Sequence, residues 1–253
     1  MDLGLKGLKA VVTGGTKGIG RAIVETLLQE GVQVAFCARS ADDVAGAVAQ
    51  LSKDGATVFG QCVDVGDAQA LAAFVQAAGQ ALGGIDIVVA NVSALAVGND
   101  EASWKSGFET DMMGTVRLVN AAMPLLEESR HAAIVTIASV SAREIDFAAG
   151  PYGAFKAAIV HYTQGLAFHL AGKKIRANSV SPGNTYFPGG VWSQIEAGNP
   201  QLFSDSMALN PTGRMGTPQE MANATVFLAS PAASFITGTN LVVDGALTRG
   251  VQL

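Results

Sequence analysis

Short runs of apolar, mostly β-branched residues punctuate the chain at Ala10–Thr13, Val32–Cys37, Thr57–Val63, Ile85–Ala90, Ala132–Ala138, Ile175–Val180 and Leu241–Val243. Most lack strict alternation of apolar and polar positions. A strand wetted on one face alternates, and a strand covered on both faces does not, so these runs predict a parallel sheet. Segments with helical spacing lie between them. Arg21–Glu30 brings Ile23, Leu27 and Leu28 to one face, and Ala68–Leu82 does the same with Leu71, Phe74, Val75 and Ala78. Alternating strands and helices, with no Pro/Gly/Ser-rich divider, predict one α/β domain over residues 1–253 with right-handed crossovers. One stretch breaks the pattern. Gly183–Asn210 mixes proline, glycine and aromatics without a period, and a loop that long is usually functional.

Composition narrows the classes. The chain is 49% hydrophobic and 15% charged, the reverse of a disordered protein. With a net charge of −5 and no basic cluster, nucleic-acid binding is not expected. Lys173, Lys174 and Arg176 are expected to form a solvated turn before a strand. Cys37 and Cys62 are too few for a disulfide framework or a four-thiolate zinc site and are expected as small core residues in a reducing compartment. His131, His161 and His169 have no Cys or carboxylate cluster beside them, so no metal site is expected. Met1–Lys9 has no apolar signal-peptide region, and no apolar run reaches a membrane-spanning length, which makes a cytoplasmic protein without membrane contact the expectation.

The first strand runs into Thr13-Gly14-Gly15-Thr16-Lys17-Gly18-Ile19-Gly20 and then a helix. Glycines there let the backbone turn sharply and approach a pyrophosphate, which sits where the free N–H groups of a helix N-terminus point outward. The Gly-x-x-x-Gly-x-Gly spacing is similar to that of the short-chain dehydrogenase/reductase family. Further motifs follow in that family's order: Asp64-Val65, Ala90-Asn91-Val92-Ser93, Ser139, Tyr152-Gly-Ala-Phe-Lys156, Asn178-Ser-Val-Ser-Pro182-Gly183 and Asp244-Gly245. Ser139 precedes Tyr152 by 13 residues, after a strand and before a helix, which makes the set far more specific than Tyr-x-x-x-Lys alone.

The resemblance implies a Rossmann-type, doubly wound, seven-stranded parallel sheet with helices on both faces. It implies a nicotinamide dinucleotide held by Gly14, Thr16, Lys17, Gly18, Ile19, Gly20, Asp64, Val65, Asn91, Pro182, Gly183 and Thr185, with Asp64 at the adenine. It implies a small carbonyl or secondary-alcohol substrate, with Tyr152 as general acid and base and Ser139 bonded to the substrate oxygen. Lys156, four residues from Tyr152 and so on the same helix face, would favour tyrosinate and hold the nicotinamide ribose. Where relatives carry Asn, this chain has Asp111, whose main-chain carbonyl is retained for a proton relay but whose buried carboxylate would need partners. Relatives that prefer NAD place an Asp at the end of the second strand. Here Ala38 stands there, followed by Arg39, and Lys17 lies in the glycine turn, so NADP(H) is favoured over NAD(H).

Ser93, Phe147, Tyr186, Phe187 and Trp192 are the candidate substrate contacts, with the substrate loop at about 184–210 and Glu144 nearby; the aromatic bulk of that loop fits either a lid over an apolar substrate or packing against a neighbouring subunit. No Arg or Lys occurs from Asn184 to Pro211, which disfavours a phosphorylated or carrier-bound substrate. Relatives of this size are usually tetramers, so a homotetramer or homodimer is expected, pairing the helices at Trp104–Glu128 and Tyr152–Gly172. Two other readings remain: an NAD-linked secondary-alcohol dehydrogenase, and a nucleotide-binding regulatory protein with weakened catalysis.

Overall fold

The computed structural model describes residues 1–251, so the last two residues of the expected domain lie outside the described residues. Each apolar run holds a strand: β1 (Lys9–Thr13), β2 (Gln33–Ala38), β3 (Val58–Cys62), β4 (Ile87–Ala90), β5 (Ala133–Ile137), β6 (Arg176–Pro182) and β7 (Asn240–Val243). All pairings are parallel, in the order β3-β2-β1-β4-β5-β6-β7, one doubly wound sheet. The helices are α1 (Gly18–Gln29), α2 (Ala41–Leu51), α3 (Ala68–Leu82), α4 (Glu101–Gly107), α5 (Gly114–Glu128), α6 (Pro151–Leu170), α7 (Val191–Gly198), α8 (Pro200–Ala208) and α9 (Pro218–Ala229).

Side chains of a strand point alternately to opposite faces, and here both faces are covered. Val11, Val88, Ala90 and Ile134 pack toward Phe74 of α3, Leu118 of α5 and Ala167 of α6. Their neighbours Ala10, Val12, Ile87, Val89 and Val135 pack on the other side, with Ile23 and Leu27 of α1 and Val226 of α9. Two cores on one sheet account for strands without polar alternation.

Four expectations need correction. Gly183–Asn210 is not one irregular loop, because α7 and α8 lie within it, each started by a short Gly or Asn-Pro signal rather than by apolar spacing. The helix expected over Trp104–Glu128 is split by a π-helical segment at Phe108–Met113. Cys62 is exposed at the end of the edge strand β3, where its Sγ donates to the Arg39 carbonyl at 3.2 Å, whereas Cys37 is buried and its thiol is pushed up to about 12 by burial. Arg176 is half-buried rather than part of a freely solvated turn. Its guanidinium donates to the carbonyls of Leu228, Ala229, Ser230 and Ile236 at 2.7–3.3 Å. Three of those carbonyls end α9, which would otherwise bury unpaired acceptors. Arg176→Ala is expected to lower the unfolding free energy by about 2–3 kcal/mol, read from denaturant midpoints at constant slope. An unchanged midpoint would mean water replaces the guanidinium without loss.

Candidate active site

Strand order reverses between β1 and β4, and in open α/β sheets the crevice beyond the carboxyl ends of the strands at that point is where ligands bind. A cleft of about 780 Å³ opens there. On one wall the glycine turn leads from β1 into α1. Gly18 has φ +54°, a left-handed conformation, and a Cβ on Gly20 would collide with the Gly14 carbonyl. The turn is pinned by the Gly14 and Gly15 N–H groups, which donate to the Cys37 carbonyl at 2.8 and 3.2 Å. The Asn91 amide adds donations to the carbonyls of Thr13 and Gly14. Among the described residues no side chain caps α1 and no acid stands in its first turn, so its first N–H groups remain for an anion. A dinucleotide pyrophosphate fits that cradle.

Gly14, Thr16, Lys17, Gly18, Ile19, Gly20, Arg39, Asp64, Val65, Asn91, Pro182, Gly183 and Thr185 all line the cleft, as does Ala38. Arg39 takes part in no ion pair among the described residues, but Lys17 pairs with Asp43 at 2.7 Å. Asp43 is a cleft residue the sequence reading missed, because its position in the first turn of α2 reads as ordinary helix capping. The Asn91 amide is spent on the glycine turn, and the Thr185 hydroxyl donates to the Gly183 carbonyl at 3.1 Å. Asp64 accepts from the Gly66 N–H at 2.9 Å.

On the opposite wall, Ser139 stands just beyond β5, and Tyr152 and Lys156 share a face of α6. Lys156 is only 2% exposed. Its ammonium donates to the Ile137 carbonyl at 2.9 Å and lies 5.7 Å from the centre of the Tyr152 ring. Asp111, 1% exposed, faces it from the π segment, with Oδ1 3.4 Å from Nζ. That contact is Coulombic without hydrogen-bond geometry, since Oδ1 has no hydrogen-bond partner among the described residues, whereas Oδ2 accepts from the Ala94 N–H at 2.8 Å. The Asp111 carbonyl accepts from the Thr115 hydroxyl at 2.7 Å. The carboxylate is thus paired through its side chain, an arrangement no spacing in the sequence signals.

Ser93, Phe147, Phe187 and Trp192 also line the cleft, joined by Leu95, Val97, Val191, Ile195 and Leu202. Trp192 is buried and packs edge-on against Phe147, with centroids 5.5 Å apart. The Phe187 ring rests on the glycine turn, where a Cβ on Gly18 would collide with it. Tyr186 is not brought to the cleft. Its hydroxyl donates to Glu196 and its ring meets Phe203. Glu144 lines a smaller neighbouring cavity.

Residues 14–248 match the family described as enoyl-(acyl carrier protein) reductase. Isoepoxydon dehydrogenase of Penicillium expansum is 39% identical, over 100% of this chain and 99% of that protein. The 3-oxoacyl-(acyl-carrier-protein) reductase of Vibrio cholerae is 30% identical, over 97% and 99% respectively. Among solved structures, the NADPH-bound short-chain oxidoreductase of Pseudomonas aeruginosa PAO1 that contains an atypical catalytic center superposes with TM-score 0.89 at 33% identity, covering 96% of this chain and 98% of that one. The chain therefore belongs to the short-chain dehydrogenase/reductase family of oxidoreductases.

Removing one partner of a buried ion pair strands the other. Asp111→Ala is expected to lower stability by about 3 kcal/mol in denaturant titrations. Asp111→Asn, which keeps an acceptor for Ala94, should lose less. Equal losses for the two variants would show that the Ala94 bond adds nothing.

Proposed function

We propose that this protein is an NADP(H)-preferring oxidoreductase that interconverts a small, uncharged carbonyl compound and the corresponding secondary alcohol. The observation that carries the reading is the buried Lys156 ammonium beside the Tyr152 ring, with Ser139 on the same cleft. Bound nicotinamide supplies the hydride in reduction and accepts it in oxidation. Tyr152 gives a proton to the substrate oxygen in reduction and takes it back in oxidation. Ser139 holds that oxygen in place. Lys156 has three N–H donors and spends one on Ile137, so a donor remains for a ribose hydroxyl. Asp111 offsets part of the Lys156 charge while fixing where the ammonium sits.

The apolar lining from Leu95, Val97, Phe147, Trp192 and Leu202 suits a substrate without phosphate or carrier. Exposed aromatic side chains of Trp104, Phe108 and Phe168 along α4 to α6 support the reading of a homotetramer or homodimer.

The NADP preference rests on Arg39 and Ala38 at the end of β2. A guanidinium offers a 2′-phosphate a fork of donors. Lys17 joins it only by leaving Asp43. The rival NAD-linked reading gains from that same Lys17–Asp43 pair, and cofactor titration separates the two.

Two outcomes are expected. Arg39→Ala should weaken NADPH binding about ten- to a hundredfold, with NADH little affected, since charge-assisted bonds contribute roughly 1.5–3 kcal/mol. Equal loss for both cofactors would sink the NADP assignment. Tyr152→Phe should abolish turnover of ketones and alcohols while sparing NADPH binding, measured by fluorescence titration. Retained turnover would refute the tyrosine as acid and base.

A further inference from the structure

A polar chain leads from Ser139 through Ser141 to Asp146. Ser139 starts the single 3₁₀ turn Val140–Ala142, and its Oγ accepts the Ser141 N–H at 3.1 Å. It also donates to the Ser141 Oγ at 3.2 Å. The Ser141 hydroxyl donates in turn to Asp146 Oδ2 at 2.6 Å, and Asp146 Oδ1 accepts the Ala148 N–H at 2.8 Å.

The far end of this chain fixes its proton directions. An ionised carboxylate only accepts, and the short bond to it is the strong, charge-assisted one. Ser141 therefore spends its one hydroxyl proton on Asp146 and is left as an acceptor toward Ser139. Ser139 spends its own proton on Ser141. What it offers the cleft is a lone pair. A ligand hydroxyl can donate to that lone pair while accepting from the Tyr152 phenol. A ligand carbonyl has no proton to give, so it meets two lone pairs face to face unless Ser139 breaks its bond to Ser141.

We propose that Asp146, acting through Ser141, is a positioning residue that holds Ser139 as a hydrogen-bond acceptor, so that the resting site discriminates for the hydroxyl form of its ligand and against the carbonyl form. This rests on the reading that Ser139 meets the substrate oxygen. Asp146 makes no reacting contact. Its effect is on which proton Ser139 keeps.

The isosteric change Asp146→Asn tests the polarity directly. The Ala148 N–H claims the amide oxygen, which turns the amide N–H toward Ser141. Ser141 is then free to donate to Ser139, and the Ser139 proton is free for the cleft. Ser141→Ala removes the acceptor outright and serves as a second variant. The probes are a tertiary alcohol and a tertiary amide of matched carbon skeleton. The first is not oxidised and the second is not reduced, so binding is read without turnover. Dissociation constants are measured by fluorescence titration of the enzyme loaded with reduced cofactor.

In the unaltered enzyme the alcohol should bind more tightly than the amide. In both variants the ratio should move toward the amide by about three- to tenfold, the equilibrium worth of one neutral hydrogen bond. A ratio that stays put, or two constants that change in step as a structural disturbance would make them, overturns the relay. Ser139→Ala separates the two levels. If it alters the ratio while Asp146→Asn does not, the relay alone fails. If it alters neither constant, Ser139 does not meet the ligand, and the reading beneath the proposal fails with it.

Discussion

A lysine ammonium taken out of water costs several kcal/mol unless the fold gives it partners, and Lys156 is almost wholly out of water. Its partners come from three directions. The Ile137 carbonyl ends β5, the Asp111 carboxylate comes from the π segment, and the Tyr152 ring lies one turn back along α6. Asp111 then reaches the Ala94 N–H, which ties the strand β4 exit loop into the same knot. The walls of the cleft that carry Ser93, Ser139 and Tyr152 are thus located by one charge and the groups that neutralise it. Displacing any of these partners leaves the others unpaired at low dielectric, so the arrangement is held as a unit.

The sheet was legible because its signal is local and strong. Two-sided burial removes polar alternation, and most of the seven runs show it. The glycine turn was legible for a similar reason, since Gly14 and Gly18 take left-handed backbone and Gly20 leaves room for the Gly14 carbonyl. What stayed hidden depends on contacts between distant residues. Arg176 looked like part of a basic turn because nothing in Lys173–Arg176 shows that four carbonyls from Leu228 to Ile236 converge on it. Cys62 looked like a core residue because its strand is apolar, but β3 is an edge and its last residue has only β2 beside it. Asp43 and Asp146 carry no motif at all. Each enters the cleft through tertiary placement alone. The short helices α7 and α8 escaped because their apolar faces are too brief for a period to emerge.

The two walls of the cleft differ in what they can recognise. The glycine-turn side presents backbone N–H groups and Arg39, which suit anions and do not distinguish what is attached to them. The opposite side presents Phe147, Phe187 and Trp192, which select by shape and apolar area. Phe187 belongs to both, since its ring lies on Gly18 while its chain neighbours lead into α7. Phe187 thus brings the segment before α7 into contact with the glycine turn.

The π segment at Phe108–Met113 works as a splice between two helices with different obligations. Trp104 upstream and Phe108 at the segment's first position lie against Phe155 with centroids 5.7 and 5.9 Å away. Downstream, Leu118, Val119, Ala122 and Leu126 fill the core. A wider turn inserts one residue without unwinding the helix, and one residue is about 100° of rotation. Losing a residue here would swing one face away from its neighbour by that angle, pulling either the aromatic cluster or Asp111 out of register. The residue count of this segment therefore carries structural information alongside the identity of Asp111.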